Sequence, residues 1–548
     1  MSASSKKKLR KEQVAAQMTE RQIHEQKEAK KLKIYTAVFT AVLALLVVLA
    51  VVFGVSKFIS NNGIFERNTV ALTIGEHKLT NADLNYYYIA QINEFYEQNG
   101  DYMSIFGLDP TKPLNEQVTN EETGATWADD FLDAAINTAK QNYALVDAAN
   151  AAGYTLSEDE LASIDQSIST MELYATLGNY PSVKSYLKAM YGKGATEANY
   201  REYVQTQTLA TSYYAHYAGT LDFDDAAIEA EDKANPLEYN HYSYNSYYMF
   251  ASKFYEGGTE DENGTVVYSD EEKAAGVAKA EETAKALAEA EYENLEAFDK
   301  AIGELSINAE SETAVASTAY NDTAYANVNE YIREWVTDPA RKAGDMGYFA
   351  NESTTTDADG KETTTVNGYY VVMYHSTEDN KYPLANVRHI LIQPEGGTYN
   401  STTGRMDYSE EEMTKTKPEA ELLLDKFLAG ETTAEAFGAL ANEHSADGDG
   451  TTGGLYEDVA PGQMVENFEN WCFEEGRKAG DTGIVDSVYG WHIMYYVGDS
   501  ETSYREYLVE TVLIGEAFQA WFDDLVENTT VTEGNTSYVD MDIVLANG

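Results

Sequence analysis

The sequence predicts an α+β protein: one N-terminal membrane-spanning helix, a helical domain, then two successive α/β domains. Three observations predict it. Residues 34–56 are an unbroken apolar run. Residues 82–218 carry apolar positions at three- and four-residue spacing. Beyond them, a strand–helix–helix–strand pattern occurs twice, the second copy having lost no element of the first.

The chain has 548 residues and a formal charge of −54. That length exceeds one hydrophobic core, and that charge excludes nucleic-acid binding, which needs basic patches to displace counterions. The single cysteine, Cys472, excludes an internal disulfide or a multi-cysteine metal site. There are 42 tyrosines, side chains that offer an apolar face together with a hydroxyl.

Residues 1–33 are basic, and 34–56 follow as IYTAVFTAVLALLVVLAVVFGVS between Lys33 and Lys57. At 1.5 Å per residue this run spans a ~30 Å bilayer core. The basic flank places the N-terminus in the cytoplasm. The run is too long for a cleaved signal peptide, and no A-x-A site follows. The expectation is an uncleaved single-pass anchor in the cell membrane, with the bulk of the chain extracytoplasmic.

Residues 57–235 read as the helical domain. VALTIGEHKLT alternates like a strand and leads into a helix capped near Thr80 or Asn81, with further helices over 126–152, 157–178, 182–191 and 196–218. His77 and His216 stand alone and suggest no site.

Residues 236–380 and 381–498 are the two copies. VNEYIREWVTDPARKAGDMG (328–347) and MVENFENWCFEEGRKAGDTG (464–483) align without a gap, Trp335 with Trp471 and the whole of RKAGD in register. A glycine-led strand follows each, and a strand plus Ala/Glu-rich helix precedes each. On this alignment His389 corresponds to Tyr248, His492 to Tyr370, Met464 to Val328 and Phe468 to Ile332. The first copy keeps the framework and loses both histidines.

In the second copy, antiparallel pairing of NVRHILIQ with YGWHIMYY sets His389 and His492 side by side, with Ser487 five residues before His492 and Asp447 in the SADGDG loop. A Ser/His/Asp hydrolase would need a nucleophile elbow, and no G-x-S-x-G occurs. Zinc would need a third ligand. An EF-hand loop counted from Asp447 puts Thr452 where its glycine belongs.

The RHIL strand (388–391), S-x-D…GGL (445–455), GQM-x-x-x-F (462–468), the A-G-D turn (479–481) and G-x-HI (490–493), taken in this order, resemble the parvulin family of peptidyl-prolyl isomerases over nearly all of 386–497. The order of helices in 57–235 is similar to the chaperone region of extracytoplasmic foldases of the SurA and PrsA type. By position, the resemblance assigns His389 and His492 to the family's paired histidines, Asp447 to its Cys/Asp position and Ser487 to its Ser/Thr. It assigns Leu455, Met464 and Phe468 to the pocket for the proline ring. It implies a foldase that isomerises Xaa-Pro bonds without a cofactor or metal and binds unfolded or newly exported polypeptides; a homodimer stays open. Members selective for phosphorylated substrates carry a basic cluster after the first strand, where this chain has IQPEGGTYNSTTGRMDYSEEE, so a phosphate requirement is not expected. Residues 395–416 read as a mobile insertion. The rival class is a holdase in which both copies only bind.

Residues 499–548 give a helix with Leu508, Val512, Phe518, Trp521 and Leu525 near one face, expected to pack on the helical domain, and a last strand in VDMDIVLA.

Overall fold

The computed structural model describes residues 4–8, 62–261, 264–308, 311, 313–356, 360–448 and 450–543. The expected anchor at 34–56 lies outside the described residues. Among those described, no helix is long and apolar enough to cross a membrane. The chain divides into two compact units, one of residues up to Leu221 together with those from Ala517, the other Asp222–Glu516.

After a short helical turn at Ile64–Asn68, the first unit has strands β1 (Val70–Ile74) and β2 (His77–Thr80) and continues with helices α1 (Asn81–Asn99), α2 (Trp127–Ala152), α3 (Glu158–Leu177), α4 (Val183–Tyr191) and α5 (Glu197–Ala218). Their starts follow from local chemistry. Thr80, Thr126, Ser157 and Thr196 each accept from the backbone N–H three residues on, and the side chain there accepts from the cap's own N–H in return. Each such box satisfies otherwise orphaned helix donors. Leu72 and Ile74 of β1 pack with Tyr87, Tyr88 and Ile92 of α1 and Phe131 of α2. Tyr86 shows what the tyrosines do here: its ring packs among Tyr191, Tyr200 and Tyr203 while its hydroxyl donates to Asn199 at 2.9 Å.

The second unit begins with helix α6 (Asp225–Ala234), which lies inside the 57–235 range expected for the helical domain although no helix was expected there. Its Asp232 receives the Nε of Arg505 at 2.6 Å, and that buried guanidinium also donates to Asn240 and to the carbonyls of Pro236 and Asp379.

Two α/β layers follow. The first has β3 (His241–Phe250), α7 (Asp270–Glu289), α8 (Leu295–Gly303), β4 (Thr318–Ala324), α9 (Glu330–Val336), β5 (Met346–Thr356) and β6 (Glu362–Glu378). The second has β7 (Pro383–Ile392), α10 (Glu410–Leu428), α11 (Ala434–His444), β8 (Leu455–Val459), α12 (Glu466–Cys472), β9 (Thr482–Ser487) and β10 (Gly490–Ser503). Both sheets are antiparallel with one strand order, β4-β3-β6-β5 and β8-β7-β10-β9.

Strand alternation distributes the helices. Ile390, Ile392, Ile493 and Tyr495 face α10 and α11, while Val387, Met494 and Tyr496 face α12. The first sheet repeats this, with Met249 and Val371 against α7 and α8, and Tyr244 and Val372 against α9.

The duplication extends to single hydrogen bonds. In the RKAGD turns, the N–H groups of Lys342 and Lys478 donate to Asp345 and Asp481, each at 2.9 Å. Arg341 lies over Trp335 and Arg477 over Trp471. Gly347 and Gly483 stand where a Cβ would collide with those indoles, within 2.9 and 2.4 Å respectively. Ser269 and Ser409 begin α7 and α10 with the same capping box, and Glu272 and Glu412 also accept from Gly258 and Gly397.

Several expectations need correction. Residues 395–416 form a hairpin, Thr398–Asn400 against Arg405–Asp407, and the first turns of α10. Pro418 hid those turns, because proline normally marks a helix start. The GGL segment read as loop leads into an edge strand, β8. Register also moves one equivalence. Met494 lies opposite His389 and Val372 opposite Ser246, so the first-copy counterpart of His389 is Ser246, not Tyr248; Tyr370 remains the counterpart of His492.

The chain then enters helix α13 (Tyr504–Asn528), whose last turns return to the first unit: Trp521, Phe522 and Leu525 pack with Leu145, Val146, Ala149 and Tyr213. The closing strand is β11 (Val531–Glu533), paired antiparallel with β1. In the described part of VDMDIVLA no strand forms; Val539, Met541 and Ile543 pack instead on the core beneath β1.

Candidate active site

β7 and β10 are adjacent and antiparallel, and His389 and His492 fall on the α12 face of both. Their Nδ1 atoms are 3.1 Å apart and both rings are buried. On the outer side of each ring stands one further partner. Ser487 Oγ lies 2.7 Å from His492 Nε2, and Asp447 Oδ2 lies 2.9 Å from His389 Nε2.

Burial pushes both imidazoles below their ordinary pKa. For His389 the Asp447 carboxylate partly opposes the fall. For His492, burial and then the neighbouring His389 carry it down to about 4. The pair is therefore neutral at physiological pH.

Neutrality fixes the protons. Asp447 accepts, so His389 carries its proton on Nε2 and leaves Nδ1 as an acceptor. His492 then donates through Nδ1, and its Nε2 accepts from the Ser487 hydroxyl. Ser487 in turn accepts from the Tyr489 N–H at 3.0 Å. A single hydrogen-bond chain thus runs Tyr489, Ser487, His492, His389, Asp447.

His389, His492 and Asp447 wall a cavity of about 340 Å³ whose lining also includes Met464, Phe468, Leu391, Tyr456 and Tyr489, with Ser487 behind His492. Phe468 presents its ring edge-on to both imidazoles, with centroids 5.3 and 5.5 Å away. Six of the seven sequence-derived site residues thus meet in one place.

Leu455 does not line it. On β8 it lies opposite Arg388, whose guanidinium points to the carbonyls of Thr452 and Gly453 on the far side of the sheet. A shift of one residue along a strand changes the face. Tyr456, opposite Val387, takes the pocket position, and its hydroxyl donates to Asp447 Oδ2 at 2.9 Å. With β8 read as a loop there was no parity to reveal it. Among the described residues, no group of three metal-ligating side chains comes together.

Comparison with known proteins agrees with this geometry. Residues 369–498 match the family described as the PPIC-type PPIase domain. The second sheet module is a parvulin-type isomerase domain. Residues 26–213 match the SurA-like N-terminal domain, so this chain joins a SurA-like region to a parvulin domain.

Among curated relatives, foldase protein PrsA 1 of Listeria monocytogenes is 32% identical over 114 residues, which is 21% of this chain and 36% of that protein. PrsA 1 of Listeria innocua is 40% identical over 68 residues, 12% of this chain and 23% of its own. The chain thus spans about a third or less of the curated relatives it matches. Among solved structures, PrsA of Bacillus cereus has 24% identity and a TM-score of 0.18, covering 30% of this chain and 57% of that one. A SurA-like chaperone of Campylobacter jejuni has 9% identity and a TM-score of 0.13, covering 57% and 82%.

Proposed function

We propose that this protein is a membrane-anchored extracytoplasmic foldase that isomerises Xaa-Pro bonds in unfolded, exported polypeptides and also chaperones them. The observation that carries the reading is the buried, neutral His389–His492 pair, held between Ser487 and Asp447 beside a cavity lined by Met464, Phe468 and Tyr456.

Rotation about an Xaa-Pro amide meets a barrier of roughly 20 kcal/mol because the bond is conjugated. No covalent bond breaks, so no nucleophile, metal or cofactor is needed. An apolar slot grips the ring while the polar network favours the twisted amide over the planar one, which is catalysis by complementarity to the transition state. The apolar run at 34–56 and its basic flank support the anchor and the orientation. The acidic remainder favours basic clients.

The test is exchange spectroscopy on a non-phosphorylated Xaa-Pro peptide with the full chain in detergent, beside a Met464→Ala, Phe468→Leu double variant. Acceleration that the double variant loses while keeping its circular dichroism supports the reading. No acceleration by the folded wild type refutes catalysis and leaves a holdase, a reading favoured by the first sheet, where Ser246 and Tyr370 occupy the histidine positions. Protease accessibility in intact cells tests the topology: digestion from outside must remove everything beyond the anchor.

A further inference from the structure

We propose that Tyr456 is a positioning residue of the isomerase site: its hydroxyl holds the Asp447 carboxylate against His389 and thereby sets the direction of the proton chain through His389, His492 and Ser487. The proposal rests on the isomerase reading above and deepens it.

Asp447 is the weakest anchored member of the chain. It sits at the start of a glycine-rich loop, with Gly448 at φ +82° and Gly450 at φ +73°, and its side chain is 40% exposed. Its backbone is tied on the N-terminal side by its own N–H to Ser445 Oγ at 3.2 Å and by the Ala446 N–H to the Leu391 carbonyl at 2.8 Å. Two donors meet its Oδ2, His389 Nε2 and Tyr456 OH, both at 2.9 Å. One is the imidazole that needs orienting. The other comes from β8, a strand fixed by its ladder to the same β7 that carries His389. Tyr456 therefore references a loop carboxylate to the sheet.

The phenol is suited to this. Burial, and then the adjacent carboxylate, push it up to about 12, so it stays a donor at neutral pH. Its ring also stands 5.1 Å from the His389 ring, which limits the positions the hydroxyl can reach. Without the hydroxyl, Asp447 has one partner and solvent as the competitor. His389 then samples both neutral tautomers, and with its Nδ1 protonated it would face the Nδ1–H of His492 donor to donor.

Tyr456→Phe keeps the pocket wall and removes only the hydroxyl. Relative to wild type, kcat/KM should fall roughly ten- to a hundredfold through kcat, the range expected for one hydrogen bond to a charged group. Long-range ¹H–¹⁵N spectra should show His389 as Nε2–H in the wild type and as a tautomer mixture in Tyr456→Phe. In an Asp447→Ala background the same substitution should cost nothing further. An equal cost in both backgrounds, or an unchanged His389 tautomer and rate, overturns the proposal. If the wild type shows no isomerisation, the isomerase reading fails by itself and the tautomer spectra alone decide the role of Tyr456. Tyr456→Leu, which also loses the ring, should show the same tautomer mixture and in addition a raised KM.

Discussion

Acidification should destabilise the parvulin domain well before it alters the site. The folded domain keeps His492 neutral down to about 4, whereas in an unfolded chain the same imidazole takes its proton near 6.5. Between those values the unfolded state binds more protons, so stability falls as pH falls through that window and is fully present above it. At about 1.4 kcal/mol per pH unit, the fall accumulates to about 3 kcal/mol by pH 4, on the order of a third of a typical domain's stability. His389 is lowered by burial too and adds in the same direction. The assay is urea denaturation of the wild type and His492→Gln at several pH values from 7.5 to 4, with imidazole Cε1–H shifts recorded in parallel. The difference between the two proteins removes what the carboxylates contribute. Wild type should lose ground to the variant as pH falls from 6.5 to 4, with the His492 resonance unchanged until near the end. Parallel loss, or a resonance titrating near 6.5, would refute the buried neutral pair and the proton assignment built on it.

Other outcomes follow from single contacts. Isomerisation at saturating substrate should show no step at the ordinary histidine value near 6.5, because burial lowers both imidazoles below it. Gly483→Ala should cost about 1–3 kcal/mol, since its Cβ would meet Trp471 Nε1 at 2.4 Å; an unchanged urea midpoint would contradict that packing. Phe468→Ala removes a side chain that is 2% exposed and should cost roughly 3–5 kcal/mol, whereas Phe468→Leu should keep the fold and mainly raise KM. Arg505→Met leaves Asp232 and two backbone carbonyls without their donor; the expected loss of about 3–5 kcal/mol should appear as faster hydrogen exchange in α6. Protection of α6 equal to wild type would count against it.

What could be read in the sequence was whatever depends on near neighbours. Thr80, Thr126, Ser157 and Thr196 announce their helices because a cap and its partner lie three residues apart. The gap-free stretch around Trp335 and Trp471 reveals the duplication because one turn builds it. Failures came where pairing across the sheet decides. Ser246 and His389 are 143 positions apart while the tryptophans are 136 apart, since the loops between strand and helix differ in length. Counting from one motif therefore slips on the other. Leu455 and Tyr456 differ only in which face of β8 they occupy, and that parity comes from pairing with β7. The strand at Val531–Glu533 exists because β1 offers it an edge, something no local pattern encodes.

That last pairing bears on how the protein is made. β1 begins at residue 70 and its ladder partner ends at residue 533, so the first unit stays incomplete until residue 533 has been made. The second unit has all its strands once residue 503 has emerged and has no such wait. The later module can therefore close first, while β1 holds an open edge that another strand could occupy. A ribosome that stops between residues 503 and 531, or a protease that cuts just ahead of Val531, would leave that edge exposed in a protein whose sheet modules are otherwise whole.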